Sequence, residues 1–319
     1  MNKIKTKNDS YKKTISIVSP CFNEEDNVIN LYNIVFKIMQ KQPYNYEHIF
    51  IDNSSTDSTV LKIKKLAKKD KNLKLIVNTR NFGTIRSPFY GITQSSGDAC
   101  ILIACDFQDP PELINEFIKS WKKGFKVVLA KKETVDGNSF IFYLRKKYYR
   151  FMHRISEVAI LENCTGFGLF DRVVVDILRD VEDPYPFFRG LLMEIGYPVS
   201  IIPYNQPKRK YGESSYSFYT LYDYFMLGIT QHSKLPLRII TIFGFLVSLI
   251  SLFVACYFLI AKLLFWDTFS VGISPILIGI FFFGSIQAFF IGILGEYIGS
   301  INTKIRKMPL VVEKERINF

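Results

Sequence analysis

A length of 319 residues admits one large domain, or one domain with an appendage. The net charge of +12 narrows the partners to nucleic acid, an anionic membrane face or an anionic substrate, and two long uncharged segments near the C-terminus select the membrane and set nucleic acid aside. The five cysteines (Cys21, Cys100, Cys105, Cys164 and Cys256) form no C-x-x-C pair, and a cytoplasmic domain keeps them reduced.

The N-terminal stretch MNKIKTKNDSYKKTISIVSP is Lys-rich but lacks an apolar region of signal-peptide length, so the first 230 or so residues are expected in the cytoplasm. Short β-branched runs then alternate with helical patterns: TISIVS (14–19), YEHIFI (46–51), LKLIV (73–77), ACILIA (99–104) and KVVLA (126–130). Such alternation predicts βαβ units and a mainly parallel sheet. The first helix is expected to be capped by Asn23, with Glu24, Glu25 and Asp26 in its first turn and an apolar stripe of Val28, Leu31, Val35, Ile38 and Met39. A second begins near Asp57 or Ser58 and carries the solvated basic face KIKKLAKKDK. Two segments, 140–160 and 217–238, mix aromatic and basic residues; the first suits a membrane interface and an ordinary packed helix equally, and the second, which runs directly into an apolar stretch, favours the interface. From Ile239 to Ala261 and from Gly272 to Gly295 there is no charged residue, and each is longer than the ~18 residues that mark a span. Lys234 and Arg238 precede the first, while Lys304, Arg306 and Lys307 follow the second, which predicts a hairpin with both ends cytoplasmic.

No G-x-G-x-x-G follows the first strand and no G-x-x-x-x-G-K-[ST] occurs, so dinucleotide and P-loop fingerprints are missing. The polar residues at strand ends are instead acids and amides: Asn23 and Glu24, then Asp52, Asn53 and Asp57, then Asp106, Gln108 and Asp109 in ACDFQDPPE. Ligands of an open α/β sheet collect outside the strand carboxyl ends. Carboxylates there suit a base or ribose edge and a hard divalent cation, and a diphosphate bridged by Mg2+ or Mn2+ fits such a crevice. Asp57 and Asp109 read as helix caps, the latter because Pro110 and Pro111 follow it.

SPCFNEEDNV, FIDNSSTDST, RNFGTIRSPFYGITQSSGDA and DFQDPPEL together resemble the family-2 inverting glycosyltransferases of the GT-A fold. The tail, RKYGESSYSFYTLYDYFMLGIT and two spans ending in GEYIGSI, resembles their polyprenyl-phosphate branch, which includes dolichyl-phosphate mannose synthases and bacterial undecaprenyl-phosphate glucosyl and aminoarabinosyl transferases. The resemblance runs from Thr14 to about Arg306. It implies a nucleotide pocket of Pro20, Phe22, Glu24 and Asp52, and metal ligands Asp106 and Gln108. Arg145, Lys208 and Arg209 become the candidates for the acceptor phosphate, with Asp106 and Arg209 carrying the catalysis.

The chain also departs from that pattern. Ala104 stands at the first aspartate of the family's D-x-D, which leaves diphosphate and water to complete the coordination. Asn53 replaces the second aspartate of D-D-x-S, and TGFGL puts Gly166 and Gly168 where relatives carry an acid and an arginine. A hydroxyl acceptor would miss the acid as its base. A lipid monophosphate, whose second pKa is about 6, is already mostly dianionic near neutral pH and needs none.

The expected organisation is a cytoplasmic GT-A domain (1–215), an amphipathic juxtamembrane segment (216–238), two transmembrane helices (239–298) and a cytoplasmic tail (299–319), in a bacterial plasma membrane. The expected partners are a nucleotide diphosphate sugar, UDP-glucose by bacterial analogy, a polyprenyl phosphate, the bilayer and Mg2+ or Mn2+. Gly244, Gly279, Gly284, Gly292 and Gly295 offer small surfaces on which spans of a homo-oligomer could pack. Two rivals are a processive polysaccharide synthase, disfavoured by two spans and no Q-x-x-R-W, and a non-catalytic membrane-anchored subunit, favoured by Ala104, Gly166 and Gly168.

Overall fold

The computed structural model describes residues 12–135, 161, 163–207, 226, 235–264, 273–306 and 308–319. The chain divides into two compact units, one of residues 1–153, 158–217 and 306–319 and the other of residues 154–157 and 218–305.

The first unit is built on an eight-stranded sheet: β1 (Thr14–Cys21), β2 (Asn45–Asp52), β3 (Leu73–Asn78), β4 (Ala99–Leu102), β5 (Val127–Val135), β6 (Cys164–Asp171), β7 (Val199–Gln206) and β8 (Glu313–Ile317). They lie in the order β7-β5-β6-β4-β1-β2-β3-β8. β3, β2, β1 and β4 are parallel to one another, as are β5 and β7, while β6 runs antiparallel between β4 and β5, and β8 antiparallel along β3. The expected strands are all present, in a mixed and mostly parallel α/β sheet. β4 ends earlier than its apolar run, although Ile103 still donates its N–H to the carbonyl of Val18 at 3.0 Å.

Strands buried on both faces read as continuous apolar runs. In β1, Ile15 and Ile17 join one core cluster and Val18 the other. The first cluster takes in the inner stripes of α1 (Val28–Gln40), α2 (Thr59–Ala67) and α4 (Ile114–Lys122), where Leu31, Val35, Ile63 and Phe117 are wholly buried. The second takes in α3 (Gly83–Thr93), α5 (Arg172–Arg179) and α6 (Phe188–Glu194), with Ile92, Val174, Leu178 and Leu192 wholly buried. Each such side chain stabilises the fold by about 1.5–3 kcal/mol, so the two helical layers fix the sheet and the loops at its carboxyl edge.

The first helix departs from expectation. It begins at Val28, no acid lies in its first turn, and Asn23 does not cap it. Residues 23–27 form a separate turn in which Asn27 and Val28 both donate N–H to the carbonyl of Glu24. The sequence also gives no sign of β8. Its residues pair with β3 from Leu75–Ile317 to Asn78–Glu313, so the expected tail is the edge strand of the sheet.

The second unit contains two helices, α7 (Leu235–Leu264) and α8 (Ile273–Ile305), on which both expected spans fall. Among the described residues one helical stretch, Phe282–Ile305, is long and apolar enough to cross a membrane, and α7 contributes a shorter apolar stretch, Leu235–Val247. Phe243 of α7 meets Phe290 of α8 edge to face, with ring centroids 5.7 Å apart. Segment 140–160 and nearly all of 217–234 lie outside the described residues.

Candidate active site

β1 and β2 end side by side, with Pro20 opposite Ile51 and Cys21 opposite Asp52. Asp52 is fully buried, and its carboxylate accepts from the N–H of Ser55 at 2.9 Å and from the Ser55 hydroxyl at 2.5 Å. Burial raises its pKa, and the hydrogen bonds from Ser55 and Ser54 oppose that shift.

The chain after β1 turns through Asn23 at φ 54°, a left-handed conformation that Asn tolerates better than most residues. Asn23 donates its N–H to the Ser55 hydroxyl and accepts from the N–H of Thr56, both at 2.9 Å. Glu24 donates its N–H to the Thr59 hydroxyl at 2.9 Å and accepts from the side-chain amide of Asn27 at 2.6 Å. The loops after β1 and β2 are therefore laced together. Phe22, 37% exposed, is the residue of this edge with an aromatic face open to a ligand. The N-cap position of α2 is Ser58, with no side-chain cap, so Asp57 is not the cap expected of it; its carboxylate accepts from the N–H of Thr59 at 2.9 Å and from the N–H of Glu25 at 3.2 Å, tying the loops after β1 and β2 together.

β4 delivers Cys105 and Asp106 beside these loops. The Cys105 thiol is hydrogen-bonded to Cys21, and burial raises its pKa, with the carboxylates of Glu24, Asp106 and Asp52 adding to the rise. Glu24, Asp52 and Asp106 thus leave three neighbouring parallel strands at the same edge of the sheet.

Beyond Asp106 the backbone passes through Phe107 at φ 57°, and Gln108 donates its N–H back to Asp106 Oδ1 at 3.1 Å. The loop is then held from β7. Gln206 Nε2 donates to Gln108 Oε1 at 2.9 Å, and the Tyr204 hydroxyl donates to Asp109 Oδ1 at 3.0 Å. Asp109 is therefore a buried anchor of the loop and not the cap of the next helix, whose first residues receive no side-chain cap. Burial pushes its pKa up to about 6, against the nearby Lys132 ammonium. Tyr204, Gln206 and Lys132 carry no local sequence signal that marks them as neighbours of this loop.

The donor chemistry suits a hard divalent cation. Asp106 and Gln108 offer oxygens, Asp106 is only half-buried, and an amide oxygen that accepts one hydrogen bond keeps a second lone pair. Among the described residues no three His, Cys, Asp or Glu side chains form a metal cage, so a cation held here needs oxygens from its ligand.

Two departures from the expected pattern have structural causes. Asn53 donates to Asn81 Oδ1 at 2.8 Å and to the carbonyl of Gly83 at 3.1 Å, while its own oxygen accepts from the N–H of Phe82 at 2.9 Å and from Asn78 Nδ2 at 3.1 Å. A carboxylate makes none of the donations that tie the RNFG loop down. On β6, Gly166 has φ 99°, and a Cβ on Gly168 would lie 2.1 Å from the carbonyl oxygen of Val128. The backbone at both positions is shaped for glycine, and this strand presents neither acid nor guanidinium to the site. Arg145, Lys208 and Arg209 lie outside the described residues.

Residues 16–178 match the family model for glycosyl transferase family 2. The chain is 34% identical over 307 residues to the SfII prophage-derived bactoprenol glucosyl transferase of Shigella flexneri, covering 94% of this chain and 97% of that protein. It is 33% identical to the prophage bactoprenol glucosyl transferase homolog of Escherichia coli K12, covering 94% of this chain and 98% of the other. Among solved structures, glucosyl-3-phosphoglycerate synthase from Mycobacterium tuberculosis with Mn2+, UDP and phosphoglyceric acid gives a TM-score of 0.47 at 16% identity, over 68% of this chain and 76% of that one, a likeness too loose to carry an assignment of any site residue.

Proposed function

We propose, since this chain belongs to glycosyl transferase family 2 and is a polyprenyl-phosphate glycosyltransferase, that it moves one glucose or a related sugar from its UDP conjugate to undecaprenyl phosphate at the cytoplasmic membrane face, with inversion. The placement of Glu24, Asp52 and Asp106 at the common carboxyl edge of the adjacent parallel strands β1, β2 and β4 is the observation that carries this reading.

Asp52 takes the base or ribose edge, Phe22 and Pro20 wall the nucleobase, and Glu24 shapes the same pocket. Asp106 and Gln108 hold the divalent cation, whose charge stabilises the departing diphosphate. An oxygen of the acceptor phosphate attacks the anomeric carbon, the bond from that carbon to the diphosphate breaks, and UDP leaves with the electron pair. The attacking oxygen is already charged, because a phosphate monoester with a second pKa of about 6 is largely dianionic at neutral pH. Neither Gly166 nor Gly168 has to be a base. What the acceptor requires is placement and partial neutralisation, the role we assign to Arg145, Lys208 and Arg209.

The membrane hairpin belongs to the same proposal. β8 (313–317) pairs with β3, so it shares one sheet with β1 to β7 and lies on the same side of any bilayer as they do. The chain between them crosses an even number of times. If Phe282–Ile305 crosses once, a segment before it crosses too, and we assign that crossing to α7, whose described apolar stretch is Leu235–Val247.

The test is incubation of purified full-length protein with Mn2+, undecaprenyl phosphate or undecaprenol, and UDP-glucose, UDP-linked amino sugars or GDP-mannose, with products read by mass spectrometry. A singly glycosylated lipid from the phosphate alone supports the proposal. Polymer supports the processive synthase, glycosylated undecaprenol removes the pre-charged nucleophile, and no metal-dependent product from any donor supports the non-catalytic subunit.

A further inference from the structure

We propose that Arg80 and Arg86, whose guanidinium groups both rest on the ring of Phe82 in the loop after β3, bind a phosphate group. That phosphate is carried either by a diphosphate in solution or by an anionic lipid headgroup. The site does not depend on the reaction proposed above.

β3 runs parallel to β2, so its carboxyl end opens on the same edge of the sheet as Asp52. The loop that follows is pinned by its own backbone: Phe82 donates its N–H to Asn53 Oδ1 at 2.9 Å, and Gly83 donates its N–H to Asn81 Oδ1 at 2.8 Å. Gly83 has φ 84°, and a Cβ built on it would meet nothing within 4 Å, so the loop is open at that point. Phe82 is buried, and two cations lie over it. The guanidinium carbon of Arg80 stands 4.1 Å from the ring centroid and that of Arg86 5.0 Å. Their separation cannot exceed the sum of those distances, about 9 Å, which is inside the Debye length of ~10 Å at 0.1 M salt.

Like charges this close repel. Elsewhere in the domain partly buried cations are matched by acids: Lys74 by Glu47, Lys126 by Asp171, Arg316 by Glu313. Among the described residues no carboxylate pairs with Arg80 or Arg86. Burial lowers the pKa of Arg86, and the charge of Arg80 lowers it further, with the Tyr185 phenol opposing. Arg86 has a structural task, since it donates from Nε to the Leu310 carbonyl at 2.7 Å and from Nη2 to the Pro309 carbonyl at 2.6 Å. Arg80 has none of that reach. It is exposed, and its hydrogen bond runs from Nη1 to the carbonyl of the next residue, Asn81, at 3.1 Å. Covering a ring needs only an apolar stem, whereas a second guanidinium beside the first is useful when both share an anion. A phosphate suits them, because it offers three strong acceptor oxygens to planar, charged donors.

The contacts of the pair give the two sources. Asn53, which holds Phe82, follows Asp52, the residue assigned above to the nucleotide. Pro309 and Leu310, which Arg86 holds, follow Ile305, the last residue of α8, by four and five positions in the chain. The first favours a donor diphosphate and, if α8 crosses a bilayer, the second favours a headgroup.

The full-length protein in neutral detergent is compared with Arg80→Gln, with Arg80→Gln/Arg86→Lys, and with Lys65→Gln, which removes one charge from an exposed position on α2. UDP binding, with and without Mn2+, is read by calorimetry, and phosphatidylglycerol binding in mixed micelles by native mass spectrometry. Loss of a charge-assisted hydrogen bond should weaken the ligand about 10-fold in Arg80→Gln, and more in the double variant. Arg80 touches only its own loop, so Arg80→Gln should keep the melting temperature and carries the reading if the double variant does not fold. Weaker UDP with phosphatidylglycerol unchanged identifies the diphosphate as the source, the reverse identifies the headgroup, and weakening of both shows a site that takes either. If the unaltered protein binds neither ligand, if neither weakens in Arg80→Gln, or if Lys65→Gln weakens them equally, the proposed site is overturned.

Discussion

The chain leaves its catalytic sheet from one edge and returns to it at the other. β7 ends at Gln206, the last strand before the apolar helices, and β8 begins at Glu313, just after them. The two edges hold on to different things. β7 gives its side chains to the loop that carries Asp106 and Gln108. β8 and the residues beside it attach to α2, α3 and the turn before β3: Tyr90 donates to Glu313 at 2.8 Å, Arg86 donates to the carbonyls of Leu310 and Pro309 at 2.7 and 2.6 Å, and the side-chain amide of Asn318 donates to the carbonyls of Ala67 and Leu73 at 2.8 Å. The exit edge is thus tied to the loop proposed to carry the chemistry and the re-entry edge to α2, α3 and β3, and substitutions at each should be separable by what they change.

Asp106→Asn should give the largest kinetic effect, because it removes the one carboxylate assigned to the cation. Loss of a charge-stabilising group at a reacting centre typically costs about 10²- to 10³-fold in rate, roughly 2.7–4 kcal/mol of barrier. The melting temperature should hold, since Asp106 is half-buried and its recorded partner is the N–H of its own loop. Retained turnover at ordinary Mn2+ would break the assignment of chemistry to this side.

Gly168→Ala is the counterpart in stability. The added methyl would meet the Val128 carbonyl at 2.1 Å, and β6 is locked between β4 and β5, so the strands have to part. Overpacking of this kind costs about 1–3 kcal/mol and more where backbone is the obstacle. Gly166→Asp introduces an acid on β6 but places it at φ 99°, a conformation worth about 1–3 kcal/mol of strain outside glycine. It should lower the melting temperature and leave the rate at or below its original value; a faster enzyme would show that a base had been wanted.

The centre of the sheet was easier to read than either edge. β1, β2 and β4 are short apolar runs, and their carboxyl ends deliver Pro20, Phe22, Glu24, Asp52 and Asp106 as local motifs, because a parallel strand always hands its last residues to the same side. Asn23 misled for a local reason. Its side chain can cap a helix or bridge two loops, and only the tertiary contact with Ser55 and Thr56 decides. Asp109 misled similarly, since Tyr204 lies 95 residues away. β8 was illegible because EKERI alternates charge with charge, and an edge strand paired on one side needs no apolar run. The glycines of TGFGL read as missing chemistry, and the reason for them, a carbonyl of the neighbouring strand and a left-handed backbone, is visible only in three dimensions.

Acid should loosen both edges together. His48 lies in β2 near the middle of the sheet, fully buried, with Nε2 2.9 Å from the Ser19 hydroxyl and its ring centroid 4.3 Å from that of Phe50. Burial lowers its pKa to about 3 from an ordinary value of 6.5. At pH 7 the folded chain carries it neutral and the unfolded chain mostly so, and its contribution to pH dependence there is small. Below 6.5 the unfolded chain takes up the proton and the folded chain does not, which erodes stability by about 1.4 kcal/mol for each further pH unit until the folded value is reached. Denaturant midpoints measured between pH 7 and pH 5 should fall, and His48→Gln should flatten that part of the curve. An unchanged slope in the variant would move the acid sensitivity elsewhere.

The smallest effects belong to the re-entry edge, and they rank its contacts. Asn318→Ala removes donations to the carbonyls of Ala67 and Leu73, which closes the chain terminus over the start of β3. Net hydrogen bonds of this kind contribute about 0.5–1.5 kcal/mol each, so a loss of about 1–3 kcal/mol is expected for the two. Lys64→Met breaks the ion pair with Glu315 at 2.5 Å, yet both side chains are about a third or more exposed, at 32% and 41%, and exposed pairs contribute about 0–1 kcal/mol. The amide should therefore outweigh the ion pair, and raising the salt concentration should erase what the ion pair contributes while leaving the Asn318 effect intact. Neither change should alter the Mn2+ concentration needed for half activation, because every contact involved lies on β3, α2 or the tail. If Asn318→Ala did shift that concentration, the two edges would be mechanically one, and the strand that closes the sheet after the apolar helices would be reporting to the loop of Asp106 and Gln108 at its far side.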